Sequence, residues 1–306
     1  MMRWPRPRPG HPYLAGSPLL IAHRGGARLA PENTMASFQS AVDAWGADML
    51  EMDVRATADG EVVVIHDESV DRTTEGKGRV ADLTWARLRE LDAGYRFQDL
   101  HGLHTFRGKG VGIPRFEEVL EELPGVRLNV EAKDRRSAVG LVEAILRHGA
   151  QDRVLVAAEW ERNRRKVRGY PGPWGASRRH LAGFLLLLPT PLGRFYTPDC
   201  DALQVPEEHR GIRILTRRFL AEAHKRNLPV HVWTVDDPDT MRRLLAWGVD
   251  GIQTDRPDLL ALVLTETMGR PPPPALRGGH GDQGPMSPGL PGLSGDPPSG
   301  SGASPP

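Results

Sequence analysis

Short apolar runs recur from Leu19 to Leu264, separated by segments whose apolar residues stand three and four apart. The runs Leu19–His23, Leu50–Arg55, Arg127–Ala132, Arg153–Ala157, Ala202–Val205, Val230–Thr234 and Gly251–Thr254 predict strands. The stretches Thr34–Trp45, Ser137–His148, Arg217–Asn227 and Pro238–Trp247 have the spacing of helices with one buried face. Strands alternating with helices imply a parallel sheet, because parallel neighbours need a crossover connection. The expected fold class is α/β, a TIM-like (β/α)₈ barrel. An eighth strand is needed to close it, and its place lies between Gly172 and Leu188, where the pattern is irregular.

The rhythm breaks after the second strand. Asp59-Gly60 forms a turn into Glu61–His66 (EVVVIH), a hairpin partner, and residues 67–113 are rich in Gly, Thr and charge without a clean period. This small insertion lies where barrel enzymes build their active sites. From Gly269 to the end, Pro, Gly and Ser dominate and little apolar surface is available to offset chain entropy, so residues 269–306 are expected to be a disordered tail. Residues 1–17 form a basic, Pro-rich extension, and the barrel domain is expected over 18–268.

Composition narrows the partners. A formal net charge of +1 gives no field-driven preference for nucleic acid. The only cysteine, Cys200, cannot form an internal disulfide. The N-terminus lacks the apolar run of a signal peptide, and Leu185–Leu188 is far too short to span a bilayer, so a cytoplasmic protein is expected. Contact with a membrane surface and the oligomeric state are left open by the sequence.

Three polar clusters end strands: His23-Arg24-Gly25-Gly26, then Glu51-Met52-Asp53 with His66-Asp67 behind it, and Glu131-Ala132-Lys133. Residues two apart on a strand share a face, roughly 6.6 Å apart. Glu51 and Asp53 therefore point together, as do Glu131 and Lys133, and adjacent strands would bring three carboxylates to one end of the barrel. Converging carboxylates call for a hard divalent cation, Mg²⁺ or Ca²⁺, whereas Zn²⁺ would recruit more His or Cys. With Arg24 and Lys133 beside them, the site suits a singly charged phosphodiester. Each motif alone has a bland reading, as a scaffold histidine, a solvated face or a salt bridge; their joint placement at three strand ends does not.

These residues resemble the glycerophosphodiester phosphodiesterase family. The likeness runs through residues 21–78, from IAHRGG through PENT, EMD and IHD, and resumes in GIPRFEEVL, NVEAK, VHVWTVD and GVDGIQTDRPD. The resemblance implies that Glu51, Asp53 and Glu131 bind the metal and that His23 and His66 form an acid–base pair. It further implies that Arg24 and Lys133 hold the phosphate and that Trp233 is an aromatic wall for the glycerol. Asn33 of PENT would order the loop beside His23 or cap the following helix, and His231 would face the barrel interior. The implied reaction is hydrolysis to glycerol 3-phosphate and an alcohol, through a cyclic phosphate, with His23 as first base and His66 as first acid. One departure stands out. Where family members commonly carry serine-phenylalanine after the fourth strand, this chain has Ala158-Glu159, which leaves the substrate-side wall open.

Two rival functions share the motifs. A lysophospholipase D would need the same catalytic set with a greasier entrance, which Phe184–Leu188 would supply unless, as its pattern favours, it is a barrel strand or core helix. An inactive glycerophosphodiester-binding module would be expected to have lost a histidine or carboxylate, and none is missing here.

Overall fold

The computed structural model describes residues 5–277. Leu19, Leu20, Ile21 and Ala22 are all buried, as a barrel strand covered by the interior on one side and helices on the other must be. They form β1 (Leu19–Ala22). Thr34 then starts α1 (Met35–Asp43), its hydroxyl accepting the Ser37 N–H at 3.3 Å. The chain returns as β2 (Met49–Ala56), against which β3 (Val62–Val64) pairs antiparallel, the expected hairpin. Residues 67–112 carry only the single turn α2 (Trp85–Leu88) and a short 3₁₀ turn. They are held by their own apolar cluster, in which Val70, Val80 and Leu88 pack on Val63 and Ile65.

Regular alternation resumes with α3 (Phe116–Glu122), β4 (Arg127–Ala132), α4 (Arg135–Arg147) and β5 (Val154–Ala157). Next come α5 (Glu161–Arg164), α6 (Arg178–Leu187), β6 (Leu203–Pro206) and a hairpin of β7 (Glu208–His209) with β8 (Ile212–Arg213). The chain continues through α7 (Arg217–His224), β9 (Val230–Trp233), α8 (Pro238–Trp247), β10 (Gly251–Thr254), α9 (Pro257–Met268) and α10 (Pro274–Arg277). The parallel order is β5-β4-β2-β1-β10-β9-β6. The ring closes through the doubtful stretch: Trp174 bridges to Val156 of β5 and Gly175 to Ala202 beside β6, both parallel. Gly175 donates to the Val156 carbonyl at 3.0 Å and Ala176 to that of Ala202 at 3.1 Å. The eighth strand thus lies in the expected interval, reduced to a few residues. Phe184–Leu188, read as strand or core helix, is the end of α6: Phe184 is buried and Leu186 is 73% exposed.

Both chain ends are more engaged than the sequence implied. Tyr13 is buried beneath the barrel, donating its hydroxyl to the Leu128 carbonyl at 2.8 Å, and Arg127 holds the carbonyls of Tyr13 and Ala15. At the other end, the start of the expected tail is packed. Arg270 pairs with Asp48 at 2.7 Å, and Ala275 donates to the Ala44 carbonyl at 3.0 Å. Disorder was expected from Gly269 on, but these ion-pair and backbone contacts tie residues 269–277 to α1 and β2. The rest of that expected tail, from residue 278, lies outside the described residues.

Candidate active site

The carboxyl end of β1 turns at once into a 3₁₀ turn over His23–Gly25. Gly25 has φ +82°, and a Cβ there would come within 2.3 Å of Ser37 Oγ, so only glycine fits. Arg24 also takes a left-handed conformation, φ +50°. It is held there because its N–H donates to Glu51 Oε2 at 3.0 Å while its carbonyl accepts from Asn33 N and Ser37 Oγ. The strain is therefore fixed by the same carboxylate that faces the reaction space. Asn33 does not cap α1, since Thr34 does. Its side chain instead bonds both the Asp53 carboxylate, at 3.1 Å, and the Asp53 N–H, at 3.3 Å.

All eight residues singled out from the sequence line one cavity of about 530 Å³: His23, Arg24, Glu51, Asp53, His66, Glu131, Lys133 and Trp233. Register explains the convergence. Glu51 pairs with Asn129 and Asp53 with Glu131 across β2 and β4, placing three carboxylates on one interior face. Lys133 Nζ stands between two of them, 2.8 Å from Asp53 and 2.9 Å from Glu131, and Arg24 Nε is 3.3 Å from Asp53. Burial opposes ionisation of Asp53, yet the charges of Lys133 and Arg24 hold it below the usual carboxylate range. Glu51 is pushed up, first by burial and then by the charge of Asp53. Lys133 stays cationic despite burial because both carboxylates raise it.

Each histidine has an aspartate behind it. His23 Nδ1 is 2.7 Å from Asp255 Oδ1, leaving Nε2 toward Glu51 at 3.8 Å. Burial alone would lower His23, but Glu51 and Asp255 outweigh it and raise it. His66 Nδ1 is 2.7 Å from Asp67 Oδ1. Asp67 in turn holds Arg72 at 2.6 Å, Arg72 reaches Glu32 at 2.7 Å, and Glu32 holds Arg24 at 2.9 Å. An ion-pair chain therefore joins the PENT loop, the insertion and Arg24. Of these partners, Asp255, Glu32 and Arg72 escaped the reading of the sequence. The signal for Asp255 was its position one residue past the final strand, which barrel closure sets beside the first.

The candidate ligands of the expected cation are all carboxylates. Their oxygens are the hard donors that Mg²⁺ or Ca²⁺ prefers. Two fixed cations face three carboxylates, and the buried Glu51 lacks a full countercharge, so the residues fit a divalent ion. Among the described residues, however, no three acidic or imidazole groups are drawn together into a ready-made metal shell, because Lys133 stands between Asp53 and Glu131. His231 lies inside the barrel as expected. It is fully buried, both ring nitrogens lack a partner, and burial lowers it to about 4.

The far wall differs in character. Glu159, at the position of the expected serine-phenylalanine, is ion-paired to Arg178, and both line the cavity. Leu181 and Leu185 of α6 and Ile214 add apolar lining to the same cavity, which the half-exposed Trp233 also borders. Among the described residues no helix is long and apolar enough to cross a membrane.

A parallel barrel with acidic, basic and imidazole groups at the carboxyl ends of its strands has the layout of an α/β-barrel enzyme. The chain belongs to the glycerophosphoryl diester phosphodiesterase family, whose model matches residues 23–170 and 183–259. It is 35% identical over 256 residues to a probable glycerophosphodiester phosphodiesterase 2 of Mycobacterium tuberculosis, covering 81% of this chain and 91% of that one. Among solved structures it is similar to a glycerophosphodiester phosphodiesterase from Agrobacterium tumefaciens, at TM-score 0.65 and 28% identity, over 80% of this chain and 99% of that one. An Oleispira antarctica phosphodiesterase, solved with the product sn-glycerol-3-phosphate, shares the fold at TM-score 0.66 and 24% identity, over 81% of this chain and 97% of that one.

Proposed function

We propose that the protein hydrolyses glycerophosphodiesters to glycerol 3-phosphate and an alcohol. The observation that carries this reading is one cavity lined by two aspartate-backed histidines together with Arg24, Lys133 and three carboxylates. Family membership and the product bound to the Oleispira antarctica relative support the same reaction.

Arg24 and Lys133 would hold the phosphate oxygens, with Trp233 as a wall for the glycerol. Asp255 fixes Nδ1 of His23, so Nε2 is free to take the proton of the glycerol 2-hydroxyl, which attacks phosphorus and closes a cyclic phosphate. Asp67 likewise leaves Nε2 of His66 free to give a proton to the departing alcohol. In the second half His66 accepts a proton from water as it opens the ring, and His23 returns its own to the 2-hydroxyl. A divalent cation held by Glu51, Asp53 and Glu131 would supply electrostatic stabilisation of the charge that develops on the phosphoryl oxygens. Acid–base catalysis typically contributes about 10²–10⁴-fold, so electrostatics and positioning must supply most of the remainder.

A second reading, lysophospholipase D, draws on Leu181, Leu185 and Ile214 at the mouth and the exposed Leu186. Glycerophosphocholine and lysophosphatidylcholine, assayed side by side for released glycerol 3-phosphate or lysophosphatidate, separate the two. Release from the small diester supports the main reading, and release from the lysolipid alone supports the second.

A further inference from the structure

The two histidines are held by unlike means. Asp255, behind His23, is anchored through its own backbone, its N–H donating to Asp236 Oδ1 at 2.8 Å. His66 lies two residues past the end of β3, where the insertion begins, and its side chain is 33% exposed. Its Nδ1 is 2.7 Å from Asp67 Oδ1. An ionised carboxylate only accepts, so Nδ1 carries the proton of the neutral ring. Left to itself, an aspartate on such a loop would sample several rotamers, and the ring would follow it. What holds Asp67 therefore decides where Nε2 of His66 points.

Arg72 holds it by two bonds, Nε to Oδ2 at 2.6 Å and Nη2 to Oδ1 at 3.2 Å. The other edge of the same guanidinium is bidentate to Glu32, Nη1 to Oε2 at 2.7 Å and Nη2 to Oε1 at 2.8 Å. Glu32 is fixed in turn, since Arg24 Nη1 donates to it at 2.9 Å and its neighbour Asn33 is bonded to Asp53. One planar group thus ties the start of the insertion to the loop after β1, with a fork geometry that an ammonium cannot match. Arg24 does not depend on this arm. Its Nε also meets Asp53 at 3.3 Å and its N–H donates to Glu51 at 3.0 Å.

Such a clamp is a poor means of stabilising the fold. The Arg72 side chain is 48% exposed, and exposed ion pairs contribute little to folding. What four bonds on one rigid group supply is direction. We propose that Arg72 is a positioning residue for His66: by clasping Asp67 against Glu32 it fixes the aspartate that aims Nε2 at the departing alcohol. The proposal rests on the glycerophosphodiester reading, in which His66 protonates that alcohol. It deepens that reading by giving residues 67–72 of the insertion a part in the reaction.

The test compares two diesters of glycerol 3-phosphate in single turnovers that read release of the alcohol before the cyclic phosphate opens. Glycerophosphocholine needs a proton on its leaving oxygen, whereas the 4-nitrophenyl diester releases a stable phenolate and does not. Arg72→Met should slow choline release by about 10–100-fold and nitrophenolate release by less than about threefold, since a misplaced acid costs only the step that uses it. Arg72→Lys keeps the charge without the fork and should show the same selective loss, at about tenfold. An equal loss on both diesters would mark Arg72 as structural, and full activity of either variant on glycerophosphocholine would leave His66 aimed without it. Either result overturns the proposal. A second readout needs no turnover. Nitrogen NMR of the neutral His66 ring should find the proton on Nδ1 in the wild type and shared between Nδ1 and Nε2 in Arg72→Met. The same tautomer in both proteins overturns the proposal as well. Should the wild type turn over neither diester while the ring responds to Arg72→Met, the positioning role stands and the reaction falls.

Discussion

His23 Nδ1 lies 2.7 Å from Asp255 Oδ1, joining the end of the first barrel strand to the end of the last. Asp255 is itself anchored, its N–H donating to Asp236 Oδ1 at 2.8 Å. The aspartate thus sets both the ring orientation and the tautomer of His23, a positioning role. Asp255→Asn keeps the shape and presents the wrong hydrogen-bonding partner. The expected outcome is a kcat lower by roughly 10²-fold or more with KM changed little, since the substrate contacts remain. A matched loss in KM, or a large fall in Tm, would make Asp255 merely structural.

Glu51 and Asp53 repel each other inside the barrel, and Glu51 lacks a full countercharge. Relieving that repulsion, or binding the proposed cation there, should stabilise the fold. In EDTA, Glu51→Gln should melt a few degrees above the wild type, the shift expected from relieving about 1–2 kcal/mol in a domain of this size. Divalent cation should raise the wild-type Tm and do much less for the variant. A lower Tm in EDTA would mean that Glu51 is already satisfied and is not a cation ligand.

His231 titrates in the opposite sense from an ion-paired histidine. Burial lowers it to about 4 in the folded protein, against an ordinary value of 6.5. Between those values the unfolded chain binds a proton that the folded one refuses, so stability falls as pH drops from about 6.5 toward 4. By linkage the loss between pH 7 and pH 5 is about 2 kcal/mol from this residue. Urea midpoints at the two pH values should show that loss in the wild type and a clearly smaller one in His231→Leu.

Tyr13 ties the N-terminal segment to the barrel floor through Leu128 and Arg127. Tyr13→Phe removes one buried hydrogen bond, an expected loss of about 0.5–1.5 kcal/mol. Tyr13→Ala adds a cavity and should cost about 3–5 kcal/mol. Urea denaturation of both variants checks the order. Equal stability of all three forms would contradict a structural role for the segment.

What the sequence made legible follows from how local each signal was. Glu51 with Asp53, and Glu131 with Lys133, share strand faces by a two-residue spacing, so their convergence could be read without a structure. The hairpin of β2 and β3 was marked by its Asp59-Gly60 turn. Asp255 was marked only by its place one residue past the last strand, because its partner lies 232 positions away and meets it only when β1 and β10 close the ring. The eighth strand was hidden for the opposite reason: Trp174 and Gly175 are too few, and too close to Pro173, to make a pattern. Tyr13 sat in a Pro-rich segment that composition marks as an appendage, and a single aromatic side chain turned it into the floor. The turn Arg24 makes depends on a contact across the barrel, which no window of sequence contains.

The central claim is a reaction, and phosphorus NMR of glycerophosphocholine incubated with the purified protein tests it most directly. The account predicts that the diester resonance is replaced by that of glycerol 3-phosphate, that EDTA stops the conversion, and that His66→Ala abolishes it while cation binding by calorimetry is kept. An unchanged diester signal with Mg²⁺ and Ca²⁺ each supplied, or conversion that survives both EDTA and the loss of His66, would contradict it.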